Sequence, residues 1–140
     1  MEPTYRCLII DDETPAHKAL TAHIAKCEEL VYSGSAFNGM EALKMLNENS
    51  YDIIFLDINM PSINGINFYK SLKQTTMVIF TTAHSEYAIK GFEVNAIDYL
   101  LKPIEKNRFI QACEKAQKYY QHIFNKTEGE NNSLYVRSEY

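Results

Sequence analysis

Five short apolar runs, each followed by a stretch with helical spacing, constrain this 140-residue chain more than any other feature. The runs are YRCLII (5–10), LVYSGSAF (30–37), DIIFLD (52–57), TMVIFTT (76–82) and AIDYLL (96–101). Most are apolar at consecutive positions, as strands buried on both faces must be. The second is less continuous and reads as an edge strand. Between them, Thr14 and Pro15 open a helix whose Ala16, Ala19, Leu20, His23, Ile24 and Cys27 share one face. Asn38 or Gly39 opens a second, with Ala42, Leu43, Met45 and Leu46 turned inward. INFYKSLK (66–73) and EYAIKGFEV (86–94) predict two short helices, the latter weakened by Gly91. A long fifth helix is predicted from Ile104 to about Asn125, with Phe109, Cys113, Ala116, Tyr120 and Phe124 on one side.

Strand alternating with helix in this way predicts parallel βαβ units and an open α/β sheet covered on both faces. Right-handed crossovers leave few topologies. Five strands favour the doubly wound, flavodoxin-like (βα)5 order 2-1-3-4-5. The length suits one domain with a proper core. Hydrophobic residues at 46% and charged residues at 23% fit a soluble globular protein. No apolar run approaches the ~20 residues of a membrane span, and no signal peptide is legible, so a cytoplasmic location with no membrane partner is the expectation. A net charge of −4 gives this part of the chain no basic face for nucleic acid. Cys7, Cys27 and Cys113 are widely spaced and show no zinc or redox pattern, so they read as free thiols.

The domain is expected to occupy residues 1–125. NKTEGENN (125–132) has a linker composition, and SLYVRSEY then alternates apolar and polar residues until the chain stops in mid-pattern. Residues 126–140 are therefore read as a linker and the opening of a further domain, a disordered tail being the alternative.

The polar residues that end these runs point to chemistry. Asp11 and Asp12 end strand one, Asp57 strand three, Thr81 and Thr82 strand four, and Lys102 strand five. An unpaired buried carboxylate is costly, so a metal, a partner cation or water must offset it. In an open α/β sheet, ligands bind at the carboxyl ends of the strands, which puts all these groups on one rim. Clustered carboxylates suit a hard cation such as Mg²⁺, and a lysine beside them can hold a phosphoryl-like anion. A carboxylate can also act as a nucleophile and form an aspartyl phosphate. Each piece alone has a plainer explanation: the acidic pair as a helix cap, Lys102 as a surface strand end, Thr82 as the cap of the next helix. Their conjunction on one edge is what points to a site.

IIDDE, FLDINMPSING, VIFTTAH and DYLLKP together resemble the receiver domain of bacterial two-component response regulators, over about residues 5–124. The resemblance implies Asp57 as phosphoacceptor. It implies Mg²⁺ held by Asp11, Asp12, Asp57 and the backbone carbonyl of Asn59, with Asp11 acting largely through water. Thr82 is implied as the switch hydroxyl, Thr81 being one place too early. Tyr99 is implied as the switch aromatic and Lys102 as the phosphate-pairing lysine, with a Lys102–Pro103 bond that is commonly cis. Met60-Pro61 and Gly65 would shape the loop after Asp57. His84 is the less usual residue near the site; with Asn59 it occupies a position where the family tunes water access.

Such a chain is a switch rather than an enzyme, catalysing only its own phosphotransfer and dephosphorylation. A sensor histidine kinase would supply the phosphoryl group. The change would pass to the face made by helix four, strand five and helix five, a face that could also carry homodimer contacts, Tyr119, Tyr120 and Phe124 among them. EYAIKGFEVNAIDYLLKPI (86–104) further resembles receivers attached to LytTR-type DNA-binding domains, so DNA would be bound only through a C-terminal domain beyond this sequence. The alternatives are a stand-alone receiver acting by protein contact and a Mg²⁺-dependent phosphatase of the haloacid-dehalogenase kind. The phosphatase wants a second acid where Asn59 stands. A nucleotide-binding flavodoxin-like protein lacks its Gly-rich loop here.

Overall fold

The structure is a computed structural model that describes residues 4–60, 68, 72, 76–84 and 96–133. Strands β1 (Tyr5–Ile10), β2 (Leu30–Ala36), β3 (Ile53–Asp57), β4 (Met77–Thr82) and β5 (Asp98–Leu101) pair in parallel in the order β2-β1-β3-β4-β5. This is the predicted flavodoxin-like order. Helices α1 (Thr14–Ala25) and α2 (Gly39–Glu48) follow the first two strands, and the C-terminal helix spans Lys106–Ser133. Among the described residues, no helix is long and apolar enough to cross a membrane. The predicted third and fourth helices, with Pro61, Gly65 and Gly91, and the strand-like tail from 134 lie largely or wholly outside the described residues.

Strand side chains alternate between faces, and the continuous apolar runs fill both. On one face Tyr5, Cys7, Ile9, Ile53, Phe55 and Ile79 pack beneath α1 and the C-terminal helix, against Leu20, Ile24, Phe109, Ala112 and Ala116. On the other, Leu8, Ile10, Ile54, Leu56, Val78 and Phe80 meet Ala42 of α2 and Phe68. Burying a side chain such as Phe55 stabilises the fold by about 2–3 kcal/mol over leaving it in water. Cys7 and Cys113 are buried free thiols, and burial pushes the Cys7 thiol up to about 12, so it packs as a hydrophobe. Tyr120, partly buried, sets its ring edge-on to Tyr5 at 5.2 Å and packs against the core from outside.

Local chemistry explains the helix starts. Pro15 lies in the first turn of α1, where its lack of an N–H costs nothing. Asn38 caps α2 by accepting from Glu41 N at 2.9 Å, while Glu41 Oε1 accepts from Phe37 N at 2.7 Å. In β2 the pairing jumps from Cys7↔Tyr32 to Leu8↔Gly34, leaving Ser33 as the extra residue of a bulge on this edge strand. A Cβ at Gly34 would meet the flexible end of Met45 (Cε) and crowd Leu8 Cδ1, so the glycine leaves room for side chains packed between α2 and β2.

Several expectations are corrected. Ala19 is exposed, and His17 takes its place on the inner face of α1 with Leu20 and Ile24. Leu43 is exposed, because α2 turns Ala42 to the sheet with Met45 and Leu46 only partly covered. The C-terminal helix starts at Lys106, and it continues past Asn125 through the predicted linker stretch. No proline interrupts that stretch, and Gly129 costs a helix only about 1 kcal/mol.

One ion-pair network was not anticipated. Asp98, buried at the start of β5, receives both arms of Arg108, at 2.8 Å (Nη1) and 2.7 Å (Nη2), and Lys115 Nζ lies 3.4 Å away. Burial alone would raise the Asp98 carboxyl, but the Arg108 and Tyr99 N–H donors and the two cations outweigh it and hold it below the usual range. An acid depressed in the folded state adds stability above its unfolded pKa and loses it as pH falls through the folded one. Asp98→Asn is therefore expected to cost about 1–2 kcal/mol at pH 7, discounted because Arg108 is partly exposed. The difference should shrink as pH is lowered from 7 to below about 3.9, the value of a free aspartate. Urea unfolding of both proteins at the two pH values checks this; a cost unchanged in acid would refute it.

Candidate functional site

The sheet order brings the carboxyl ends of β1, β3 and β4 side by side, so their terminal polar residues become neighbours. Asp57 ends β3 opposite Thr81 of β4, and Thr82 of β4 stands opposite Leu101 of β5. Asp11 and Asp12 follow β1 directly. Carboxylate oxygens of Asp11, Asp12 and Asp57 all lie within 4.8 Å of one another. Asp11 and Asp57 are buried, at 1% and 4% exposure, and Asp12 is the most open of the three.

Lys102 enters this cluster from the end of β5. Its Nζ is 2.8 Å from Asp11 Oδ2, 3.5 Å from Asp57 Oδ2 and 3.9 Å from Glu13 Oε1. Burial would lower the Lys102 pKa, but Asp11, then Asp57 and Glu13, raise it above the ordinary value. The ammonium is thus charged throughout the neutral range. Its backbone N–H donates to Thr82 O at 2.8 Å, and the following Lys102–Pro103 bond is cis, as expected.

The other oxygen of each buried acid accepts from the backbone. Asp11 Oδ1 accepts from Glu13 N at 2.9 Å, and Asp57 Oδ1 accepts from Asn59 N at 3.2 Å. These do not suffice for Asp57. Burial, with the Asp11 charge next, pushes its carboxyl up to about 6 despite Lys102 and the Asn59 N–H. A buried carboxylate raised in this way calls for more positive charge. An oxygen-only set of three carboxylates, with no Cys or His among them, fits a hard divalent cation such as Mg²⁺ rather than a soft one.

The other predicted residues sit nearby in different ways. Thr82 is buried and its Oγ1 accepts from His84 N at 3.0 Å. Tyr99 lies on β5, two strands from Asp57, half-buried and stacked on Phe80 at 5.2 Å. Asn59 reaches Asp57 through its amide, with its side chain exposed.

Sequence reasoning missed Glu13 and His17 at the site, and the partner of His23 beside it. Glu13 gives Lys102 a third carboxylate. His17 is buried, bonds through Nε2 to Asp11 O at 2.8 Å and stacks on Phe37 at 3.9 Å. His23 bonds through Nε2 to Ile104 O at 2.9 Å. The inward phase of His23 was legible in the helical spacing, but its partner across the fold was not.

Comparison with known proteins agrees with this geometry. Residues 7–114 match the family described as the response regulator receiver domain. An uncharacterised response regulatory protein of Vibrio cholerae is 41% identical over 110 residues, which is 77% of this chain and 46% of that protein. The transcriptional regulatory protein LytR of Staphylococcus aureus is 41% identical over 115 residues, 80% of this chain and 47% of its own. The chain thus spans about half the length of the curated relatives it matches. Among solved structures, the response regulatory domain of mrkE from Klebsiella pneumoniae superposes with a TM-score of 0.74 at 32% identity, covering 84% of this chain and 98% of that one. The acid cluster at the strand ends, the sheet order and these likenesses converge: the chain belongs to the response regulator receiver domains, the phosphorylation-dependent signalling modules of two-component systems.

Proposed function

We propose that Asp57 is the phosphoacceptor of this receiver, and that Asp11, Asp12, Asp57 and the backbone carbonyl of Asn59 hold Mg²⁺. The observation that carries the reading is the cluster of three carboxylates bridged by Lys102. A carboxylate oxygen of Asp57 attacks phosphorus, the bond from phosphorus to the donor breaks, and the electron pair departs with the donor atom. That atom is a histidine nitrogen when a sensor histidine kinase is the partner, or an acetate oxygen when acetyl phosphate is the donor. Mg²⁺ held by these residues would supply positive charge to the phosphoryl oxygens. Lys102 pairs with one of those oxygens, leaving Asp11 as it does so. Thr82 Oγ1 already accepts from His84 N, and a hydroxyl that accepts can still donate its own hydrogen to the phosphoryl group.

The added group carries about −1.5 to −2 charge. Thr82 moving toward it frees space into which Tyr99 turns, shifting the population of two states of the face built on β5 and the C-terminal helix. This face is also the proposed homodimer contact. Residues 126–140 would lead to a LytTR-type DNA-binding output, a reading supported by the likeness to LytR and by the length of the relatives. The chain is then the input half of a cytoplasmic transcription regulator.

Intact mass after incubation with Mg²⁺ and acetyl phosphate tests the core of the proposal. The expected result is one added phosphoryl group on the wild type, lost with a chelator and lost in Asp57→Asn. An adduct that survives in Asp57→Asn would place the acceptor elsewhere, and no adduct on wild type at any time would refute the chemistry.

A further inference from the structure

The segment that carries Lys102 is held at two points. At one end Lys102 N donates to Thr82 O at 2.8 Å, which ties the segment to β4. Two residues on, Ile104 O lies 2.9 Å from His23 Nε2, which ties it to α1 across 81 residues of sequence. A carbonyl oxygen only accepts, so Nε2 carries the hydrogen and His23 is the donor. Its Nδ1 is buried without a hydrogen-bond partner among the described residues, so the ring has one polar task. Phe109, in the first turns of the C-terminal helix, lies against the imidazole with centroids 5.1 Å apart and planes at 31°, and Ile104 itself packs on the core. The ring therefore has little freedom to swing away from the carbonyl.

These contacts close a ring through the site. Helix α1 begins at Thr14, directly after Asp11, Asp12 and Glu13. From α1 the path runs through His23 to Ile104, back two residues to Lys102, and across the ion pair to Asp11. We propose that His23 is a positioning residue for Lys102, its N–H to the Ile104 carbonyl fixing where the ammonium stands relative to Asp57. This rests on the phosphoacceptor reading above. Side-chain positioning of this kind matters steeply, since a misplacement of about 1 Å at a reacting centre can cost up to 100-fold in rate.

The test is the rate of phosphoryl gain from acetyl phosphate at saturating Mg²⁺, followed by intact mass. His23→Phe keeps a ring over Phe109 and removes the donor; it is expected to slow the reaction about tenfold. His23→Gln, whose amide can donate to the same carbonyl, is expected to recover most of the wild-type rate. A Lys102→Ala background separates positioning from general loosening. If His23 acts through Lys102, the double variant is no slower than Lys102→Ala alone, whereas independent effects would multiply. Should His23→Phe prove unfolded at the assay temperature by circular dichroism, His23→Met, which lacks a donor and packs flexibly, takes its place. A His23→Phe rate equal to wild type, or a double variant slowed by the product of the two effects, overturns the proposal while leaving the acceptor chemistry intact. A wild type that gains no phosphoryl group overturns both.

Discussion

Lys102→Ala is expected to lower the stability of the metal-free protein by about 2–3 kcal/mol at pH 7 and to increase the stabilisation that Mg²⁺ provides. The ammonium lies 2.8 Å from Asp11, whose side chain is 1% exposed, and 3.5 Å from Asp57. Deleting one partner of a buried pair typically costs about 3–5 kcal/mol, because the other charge stays buried and unpaired. Lys102 is 20% exposed, and solvent at the strand mouth brings the figure toward the low end. Once the lysine is gone, three carboxylates within 4.8 Å have lost their nearest cation, so a divalent ion has more repulsion to relieve. Its contribution to stability then rises with concentration by simple linkage. Urea unfolding of wild type and variant, in chelator and in excess Mg²⁺, measures both effects. A variant as stable as wild type in chelator would mean that the acids are relieved by something other than Lys102.

The second large effect has the opposite sign. Asp57→Asn is expected to make the metal-free protein more stable at pH 7. Burial and the neighbouring Asp11 charge raise the Asp57 carboxyl to about 6, against about 3.9 for a free aspartate. A carboxyl raised on folding disfavours the folded state once it is ionised in both states, fully above about pH 6 and not at all below about pH 4. Taken at face value the shift is worth about 3 kcal/mol, and solvent at the open strand end reduces the expected gain to about 1–2 kcal/mol. The gap between Asp57→Asn and wild type should therefore close as pH is lowered from 7 toward 4, and reverse in excess Mg²⁺, which only the wild type binds with all three carboxylates. Comparing the two proteins at each pH cancels the other titrating groups. A gap that does not change with pH would show that Asp57 is not strained by its surroundings.

Both predictions concern residues legible in the amino-acid sequence alone. DIIFLD ends an apolar run on a carboxylate, a pattern that asks for a metal, a partner cation or water at the strand end. The β-strands were legible because two-sided burial leaves consecutive apolar residues; crossover handedness left few topologies, and five strands favoured the flavodoxin-like one among them. The helices were read less well. A spacing of three and four predicts Ala19 and Leu43 inward, yet small shifts in helix phase put His17 inside and leave Leu43 in solvent. Local periodicity gives a face about 100° wide and does not say which of its edges meets the sheet. The C-terminal helix also runs past its predicted end near Asn125, because a Gly- and Asn-bearing stretch without proline still permits a weak helix.

Taken by itself, the amino-acid sequence determined the sheet order, the rim on which Asp11, Asp12, Asp57, Thr82 and Lys102 gather, and the oxygen chemistry of that rim. Each follows from short-range pattern combined with a general rule of parallel sheets. Only the tertiary structure decided that Lys102 stands nearer Asp11 than Asp57, that Arg108 and Lys115 serve Asp98, and that His23 of α1 holds the carbonyl of Ile104. Those pairings depend on angles and distances of closest approach between elements far apart in the chain. Side-chain packing sets them, and no local periodicity encodes it.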